Sequence, residues 1–343
     1  MPRLAVAVPA EQFRPDGGTG AGRVWASVLP HLRQHARVRA SGRVRLRRPD
    51  VWLLPAHGRP IARREPVVPV IHGSAWMLDA AVLDLMPKTF AEPFVASTEA
   101  TLERASAAIV PSEYTRRGLT EGLGMPEERV AVVPHGVDAR VFHPSARGGR
   151  RLVSAALGEE RPYVLFASIP SIRQKNLAAL KEAVRGLAEQ GLPHALAIAG
   201  GTAGGEPDEL LEEIAADPPG FPGRVAWLGH LADADLAGLM AEADAFCLPS
   251  LYEAFGLTAL EAMACGAPVV ASTRGALPEV VDGAGLLCDP EPHEIEAALR
   301  RVLTDPALAR RLSEAGRERA EQLTWERTAE GWLAALRRAA GES

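Results

Sequence analysis

The sequence predicts an α/β protein built from two doubly wound domains. Three observations carry this. Short, strand-like apolar runs alternate with helical patterns along the chain. The alternation occurs twice, on either side of a polar, Gly-rich stretch, HPSARGGRR, at 143–151. At 343 residues the chain is also long for one core, so two domains are expected, 1–147 and 148–343.

The expected strands of the first half are LAVAVPA (4–10), DVWLLPA (50–56), VVPVIHG (67–73), AAIVPS (107–112) and VAVVPHG (130–136). Those of the second half are YVLFASI (163–169), ALAIAG (195–200), VAWLGH (225–230), AFCLPS (245–250), PVVAST (268–273) and AGLLCD (284–289). These runs are almost continuously apolar, which suits parallel strands covered by helices on both faces. Segments 175–190 and 256–265 have helical spacing, and the tail after about 305 is helical and rich in Ala, Arg, Leu and Glu. That tail either packs on the second domain or crosses back to the first. Open α/β sheets take ligands at the carboxyl ends of their strands, so two such domains are expected to face each other across a ligand-binding cleft.

Composition excludes several classes. The chain is 47% apolar and 24% charged, an ordinary globular balance. No apolar run is long enough for a membrane span, and the opening MPRLAVAVPAEQFRPDGG reads as a first strand rather than a signal peptide. A cytoplasmic protein is expected. The three cysteines, Cys247, Cys265 and Cys288, show no metal-ligand spacing and read as small buried residues. Residues 1–150 hold 21 Lys and Arg against 14 Asp and Glu, a balance of +7, whereas the rest hold 17 against 29, a balance of −12. Seven arginines and no acids fall within 33–48, RQHARVRASGRVRLRR. That stretch fits a peripheral contact with the inner face of an anionic membrane, and equally a solvated edge. A nucleic-acid partner is not expected, given the net charge of −5 and no recognition motif.

The chemistry concentrates in YEAFGLTALEAMACGAP, 252–268. Glu253 lies in the loop after a strand. Gly256 lets the backbone approach a ligand, and the amides of Phe255, Gly256 and Leu257 open a helix where an anion is favoured. Glu261 stands among Leu260, Ala262, Met263 and Ala264. An ionised carboxylate there needs a partner, and a ribose diol would serve.

Two glutamates separated by seven residues, inside LPSLYEAFGLTALEAMACGAPVVAS, resemble the E-x7-E motif of retaining glycosyltransferases of family 4. The resemblance runs from about residue 14 to 330 and is weakest between 74 and 100. It implies two Rossmann-like domains in the glycosyltransferase type B architecture. It further implies that Glu253 binds donor-sugar hydroxyls and Glu261 the nucleotide ribose. In SIRQKNLAAL, Lys175 matches the family lysine that binds the donor diphosphate. A lysine at a helix N-terminus opposes the macrodipole, and a phosphate between them makes the placement favourable. The family's arginine five residues earlier is Pro170 here, and Arg173 is the candidate replacement. Gly229, at the end of VAWLGHL, matches the glycine whose following backbone lines the base pocket. His230 either stacks near the base or is an exposed loop residue.

RPDGGTGAGRVWASVLPHL, 14–32, lacks the dinucleotide-binding register. It resembles the family's GG-x-G loop, which makes Gly18 a donor-side candidate and Gly17 and Gly20 acceptor-side candidates. His72, at a strand end, matches a histidine that contacts the transferred sugar. His135, Gly136 and Asp138 are expected to shape the site's edge without catalytic roles. Ser112 is expected to cap its helix, and so is Asp233 of the DAD at 233–235, a reading preferred to a metal site.

The implied activity is transfer of a hexose from a GDP- or UDP-sugar, of mannose or glucose type, to an acceptor hydroxyl. The acceptor is a glycan, a lipid-linked sugar or a small molecule. His72, Lys175 and Glu253 are the catalytic candidates, with no metal and no other cofactor. Two alternatives stand beside it. One is another reaction on the same architecture, a nucleotide-sugar epimerase or an α-glucan phosphorylase, the latter needing one of only three lysines (Lys88, Lys175, Lys181) for its cofactor. The other is a non-catalytic nucleotide-sugar binding module.

Overall fold

The computed structural model describes residues 3–9, 20–41, 48–56, 64–73, 75–85, 88–169, 173–201, 208–217 and 224–342. Contacts divide the chain into two units, 1–136 with 323–343, and 137–322. The division falls between Gly136 and Val137, ahead of the expected 147/148 boundary, and places the last helix in the first unit.

The first unit runs β1 (Ala5–Pro9), α1 (Gly20–His35), β2 (Arg37–Ser41), β3 (Val51–Pro55), β4 (Val67–Val70), α2 (Lys88–Leu102), β5 (Ala108–Val110), α3 (Glu113–Arg117) and β6 (Val130–Val132). Its sheet is parallel, in the order β2-β1-β3-β4-β5-β6. β3 and β4 are buried along their whole length, as strands covered on both faces must be. β2 was not expected. It is an edge strand whose Arg37 and Arg39 pair in register with Ala5 and Ala7 of β1. An edge needs no continuous apolar run, and outward charge protects it from pairing with other chains. Ser112 caps α3, accepting from Thr115 N at 3.1 Å.

The second unit runs α4 (Gly149–Leu157), β7 (Tyr163–Ala167), α5 (Leu177–Glu189), β8 (Ala195–Ala199), α6 (Asp208–Ala215), β9 (Val225–Trp227) and α7 (Asp233–Glu242). It continues with β10 (Ala245–Leu248), α8 (Leu257–Ala264), β11 (Val269–Ser272), α9 (Leu277–Val281), β12 (Leu286–Cys288), α10 (Pro292–Thr304) and α11 (Pro306–Gln322). Its parallel sheet is ordered β12-β11-β10-β7-β8-β9. On one face, Leu180, Val184 and Leu187 of α5 pack with Ile295, Leu299 and Val302 of α10 over Val164, Phe166 and Cys247. Burying each such leucine contributes about 1.5–3 kcal/mol. α8 is buried from Ala259 to Ala264. It lies close to α11, where a Cβ at Gly316 would fall 3.2–3.4 Å from Met263.

The last helix, α12 (Trp325–Ala340), returns to the first unit. Thr324 caps it, accepting from Arg327 N at 3.3 Å. Trp325, Thr328, Ala329, Trp332, Leu333 and Leu336 form its buried stripe at helical spacing. Trp332 meets Trp25 of α1 edge to face, with ring centroids 5.2 Å apart.

Candidate functional site

In the second unit the chain lays β8 and β9 on one side of β7, then returns to place β10, β11 and β12 on the other. The order therefore reverses between β7 and β10. A crevice at such a reversal is where open α/β sheets bind ligands.

Lys175 enters from the loop after β7 and Glu253 from the loop after β10. Their Nζ and Oε1 atoms are 2.6 Å apart, with side chains only 16% and 12% exposed. Ser250 Oγ donates to the same Oε1 at 3.0 Å. Lys175 closes a short 3-10 turn, Arg173–Lys175, ahead of α5, rather than sitting in that helix's first turn as expected.

Backbone contacts lock the two loops together. Leu251 N donates to Gln174 O at 2.8 Å, and Gln174 Nε2 to Tyr252 O at 2.6 Å. Asn176 Nδ2 donates to Pro249 O at 3.1 Å and to Pro290 O at 2.7 Å. Asn176 adopts a left-handed conformation, φ 58°, which asparagine tolerates better than most residues. Sequence reasoning missed Gln174, Asn176 and Ser250. Gln174 and Asn176 bond distant main-chain atoms, which leave no local pattern, and Ser250 shows its role only through the side chain of Glu253.

α8 opens at Gly256 (φ 99°) with no side-chain cap. A Cβ there would fall 2.6 Å from Leu277 Cδ2, so the position suits glycine on two counts. The amino end of this helix, with its positive dipole, makes a favourable place for an anion. Glu261, 3% exposed, lies four residues beyond Leu257 on the same helix face. Phe255 is buried beside the opening turn.

The remaining candidates sit elsewhere. Arg173 is exposed on the 3-10 turn, while Pro170 lies outside the described residues. Gly229 (φ 65°) accepts from Gly200 N at 2.8 Å, tying the ends of β8 and β9 together, and His230 is exposed there. Asp233 is not a cap. Ala232 holds that position, because α7 begins at Asp233 itself, one residue earlier than the capping reading required. Asp233 and Asp235 instead occupy the first turn, where the macrodipole favours acids.

In the first unit, His72 follows β4 and lies 5.6 Å, ring to ring, from His135. His135 is 4% exposed, and burial, reinforced by His72, holds its imidazole well below the usual histidine range. Gly20 opens α1, and Gly17 and Gly18 lie outside the described residues. At the opposite, amino ends of β1, β2 and β3, a cavity of about 140 Å³ is lined by Arg37, Arg39, Arg48 and Asp50.

Two parallel six-stranded sheets in separate units define the glycosyltransferase type B class of fold. The chain belongs to the group 1, family 4 glycosyltransferases. The family model described as Glycosyl transferases group 1 matches residues 153–319, and Glycosyltransferase Family 4 matches 5–141. The chain is 32% identical over 298 residues to the D-inositol 3-phosphate glycosyltransferase of Thermobifida fusca, covering 83% of this chain and 68% of that one. It is 35% identical over 217 residues to the MMP alpha-(1->4)-mannosyltransferase of Mycolicibacterium hassiacum, covering 62% of this chain and 49% of the relative. The chain thus spans about half the length of that mannosyltransferase.

Among solved structures, sucrose-phosphate synthase from Thermosynechococcus elongatus superposes with a TM-score of 0.78 at 21% identity, covering 99% of this chain and 100% of that one. Anabaena Alr3699/HepE in complex with UDP-glucose gives 0.71 at 19%, covering 97% and 98%.

Proposed function

We propose that this chain is a retaining glycosyltransferase that moves a hexose from a GDP- or UDP-sugar to an acceptor hydroxyl. The observation that carries the reading is the Lys175–Glu253 pair at the strand-order reversal, beside the uncapped start of α8. A diphosphate sugar offers each member of that pair a partner. Its phosphate takes Lys175 and the α8 amides, and its sugar hydroxyls take Glu253. Glu261 holds the ribose. Gly229 and His230 border the base, and Arg173 adds charge near the diphosphate. The activities named for the relatives, an alpha-(1->4)-mannosyltransferase and a D-inositol 3-phosphate glycosyltransferase, support the substrate class.

The reaction breaks the bond between the sugar's anomeric carbon and the diphosphate oxygen. The acceptor oxygen bonds to the same carbon from the same face, and its proton passes to the departing phosphate. Lys175 and the amides stabilise the charge that develops on the leaving group. The mechanism gives no role to a metal. The first unit binds the acceptor, with Gly17, Gly20 and His72 as contributors, while Gly18 contributes on the donor side. The arginines of β2 and Arg48 suit contact with an anionic membrane surface at the inner face. Among the described residues no helix is long and apolar enough to cross a membrane.

The test is sugar transfer by the purified chain, with the product's anomeric configuration read by NMR. Replacing Lys175 or Glu253 with alanine is expected to remove most transfer. Full turnover in both variants, sugar conversion without an acceptor, or binding without transfer would each contradict the assignment.

A further inference from the structure

We propose that His135, held against the amino end of α12, is a positioning residue for His72. The proposal rests on the reading of His72 as a sugar- or acceptor-contacting residue.

The two rings are 5.6 Å apart and tilted by 44°. A third ring, Trp325, lies 6.1 Å from His135 at 34°. His135 is almost fully buried, so a charge on it would be costly and the ring stays neutral at ordinary pH. A neutral imidazole keeps one ring N–H and gains no charge at neutral pH. It offers His72 a fixed surface.

That surface is anchored by a segment almost 200 residues further along the chain. Thr328 Oγ1 donates to Pro134 O at 2.9 Å. At Gly136 a Cβ would fall 2.2 Å from both Thr324 C and Trp325 N, so the two main chains touch. At Gly331 a Cβ would fall 2.6 Å from Val133 Cγ1. Residues 133–136 thus lie along the opening turns of α12, which is itself capped by Thr324 and buried through Trp332. The chain from α12 through His135 to His72 is continuous packing within one unit. A reacting group misplaced by an ångström can lose about a hundredfold in rate, so such support has catalytic consequences.

The test is the mobility of the His72 ring, read by carbon relaxation at Cε1 in histidine-labelled protein, the signal assigned by its loss in His72→Gln. His135→Leu is expected to loosen the ring, and His135→Phe to keep it as immobile as in the unaltered chain. Transfer assays are expected to follow, with kcat falling roughly ten- to a hundredfold in His135→Leu, donor KM unchanged, and His135→Phe restoring most of the loss. Thr328→Val, which removes only the hydroxyl bond to Pro134, is expected to loosen His72 to a smaller degree and serves if His135→Leu does not fold. A folded His135→Leu or Thr328→Val chain with His72 as rigid as before would overturn the proposal. Full transfer by His72→Ala would instead overturn the role of His72, leaving the relaxation result to stand by itself.

Discussion

Gly275 lies directly against the main chain of Glu253. A Cβ at Gly275 would fall 2.3 Å from Glu253 O and 2.7 Å from its N, and Ala276 N donates to the same carbonyl at 2.8 Å. Gly275 also holds φ 65°. The loop after β11 therefore sets the height of the loop that carries Glu253. Gly275→Ala is expected to cost about 2–4 kcal/mol, from left-handed strain and from the displaced backbone. Sugar transfer should fall with it, while affinity for a bare nucleoside diphosphate holds. Thermal unfolding and diphosphate titration check this, and an unchanged melting temperature would contradict it.

The Lys175–Glu253 pair is mostly buried, so each member depends on the other. Lys175→Met leaves a carboxylate with Ser250 as its remaining partner and should destabilise the chain by about 1–3 kcal/mol. Lys175→Met combined with Glu253→Gln should cost less than the sum of the two single changes. Denaturant unfolding of the four chains measures the coupling. Strict additivity would mean that the pair is not formed in solution.

Glu261 is assigned to the ribose. Glu261→Gln is expected to weaken binding of a ribonucleoside diphosphate about tenfold, a loss of about 1.4 kcal/mol. The loss should be much smaller for the 2′-deoxy analogue, which already lacks one partner hydroxyl. Calorimetry with both ligands decides it, and equal losses would remove the ribose assignment.

The cysteines give a prediction in pH. Burial pushes the Cys265 thiol up to about 12 and Cys288 up to about 11. Unfolded thiols titrate at about 8.5. Below that value both states keep the proton and the thiols add no pH dependence. Above it the unfolded chain loses protons that the folded chain retains, so stability falls as pH rises from about 9 toward 11. Urea unfolding at pH 8, 9.5 and 10.5 should show that fall, and Cys288→Ala should make it shallower. Equal slopes in the two chains would contradict it. A thiol reagent at pH 8 should label the chain only after unfolding.

Much of this was legible in the sequence because parallel strands buried on both faces leave unbroken apolar runs. All eleven such runs became strands. β2 was missed because an edge strand needs no such run, and arginines at 37 and 39 disguised it. At the site, Lys175, Glu253 and Gly256 could be placed from their positions after strands and before helices. Gln174, Asn176 and Gly275 could not, because each acts on main chain that is remote in sequence. A glycine two residues ahead of Leu277-Pro278, at a helix start, was the available signal for Gly275. The return of α12 to the first unit was one of two options in the sequence, since a helical stripe does not say which core it covers.

In the proposed reaction the crevice between β7 and β10 binds a nucleotide-diphosphate sugar through Lys175 and Glu253. Isothermal titration of UDP-glucose, GDP-mannose and the corresponding bare diphosphates tests it most directly, in the unaltered chain, Lys175→Ala and Glu253→Ala. At least one donor is expected to bind the unaltered chain. Lys175→Ala should weaken sugar and bare diphosphate alike, by about tenfold or more, and Glu253→Ala should abolish only the added affinity of the sugar-bearing ligand. A donor bound equally well by all three chains would contradict it.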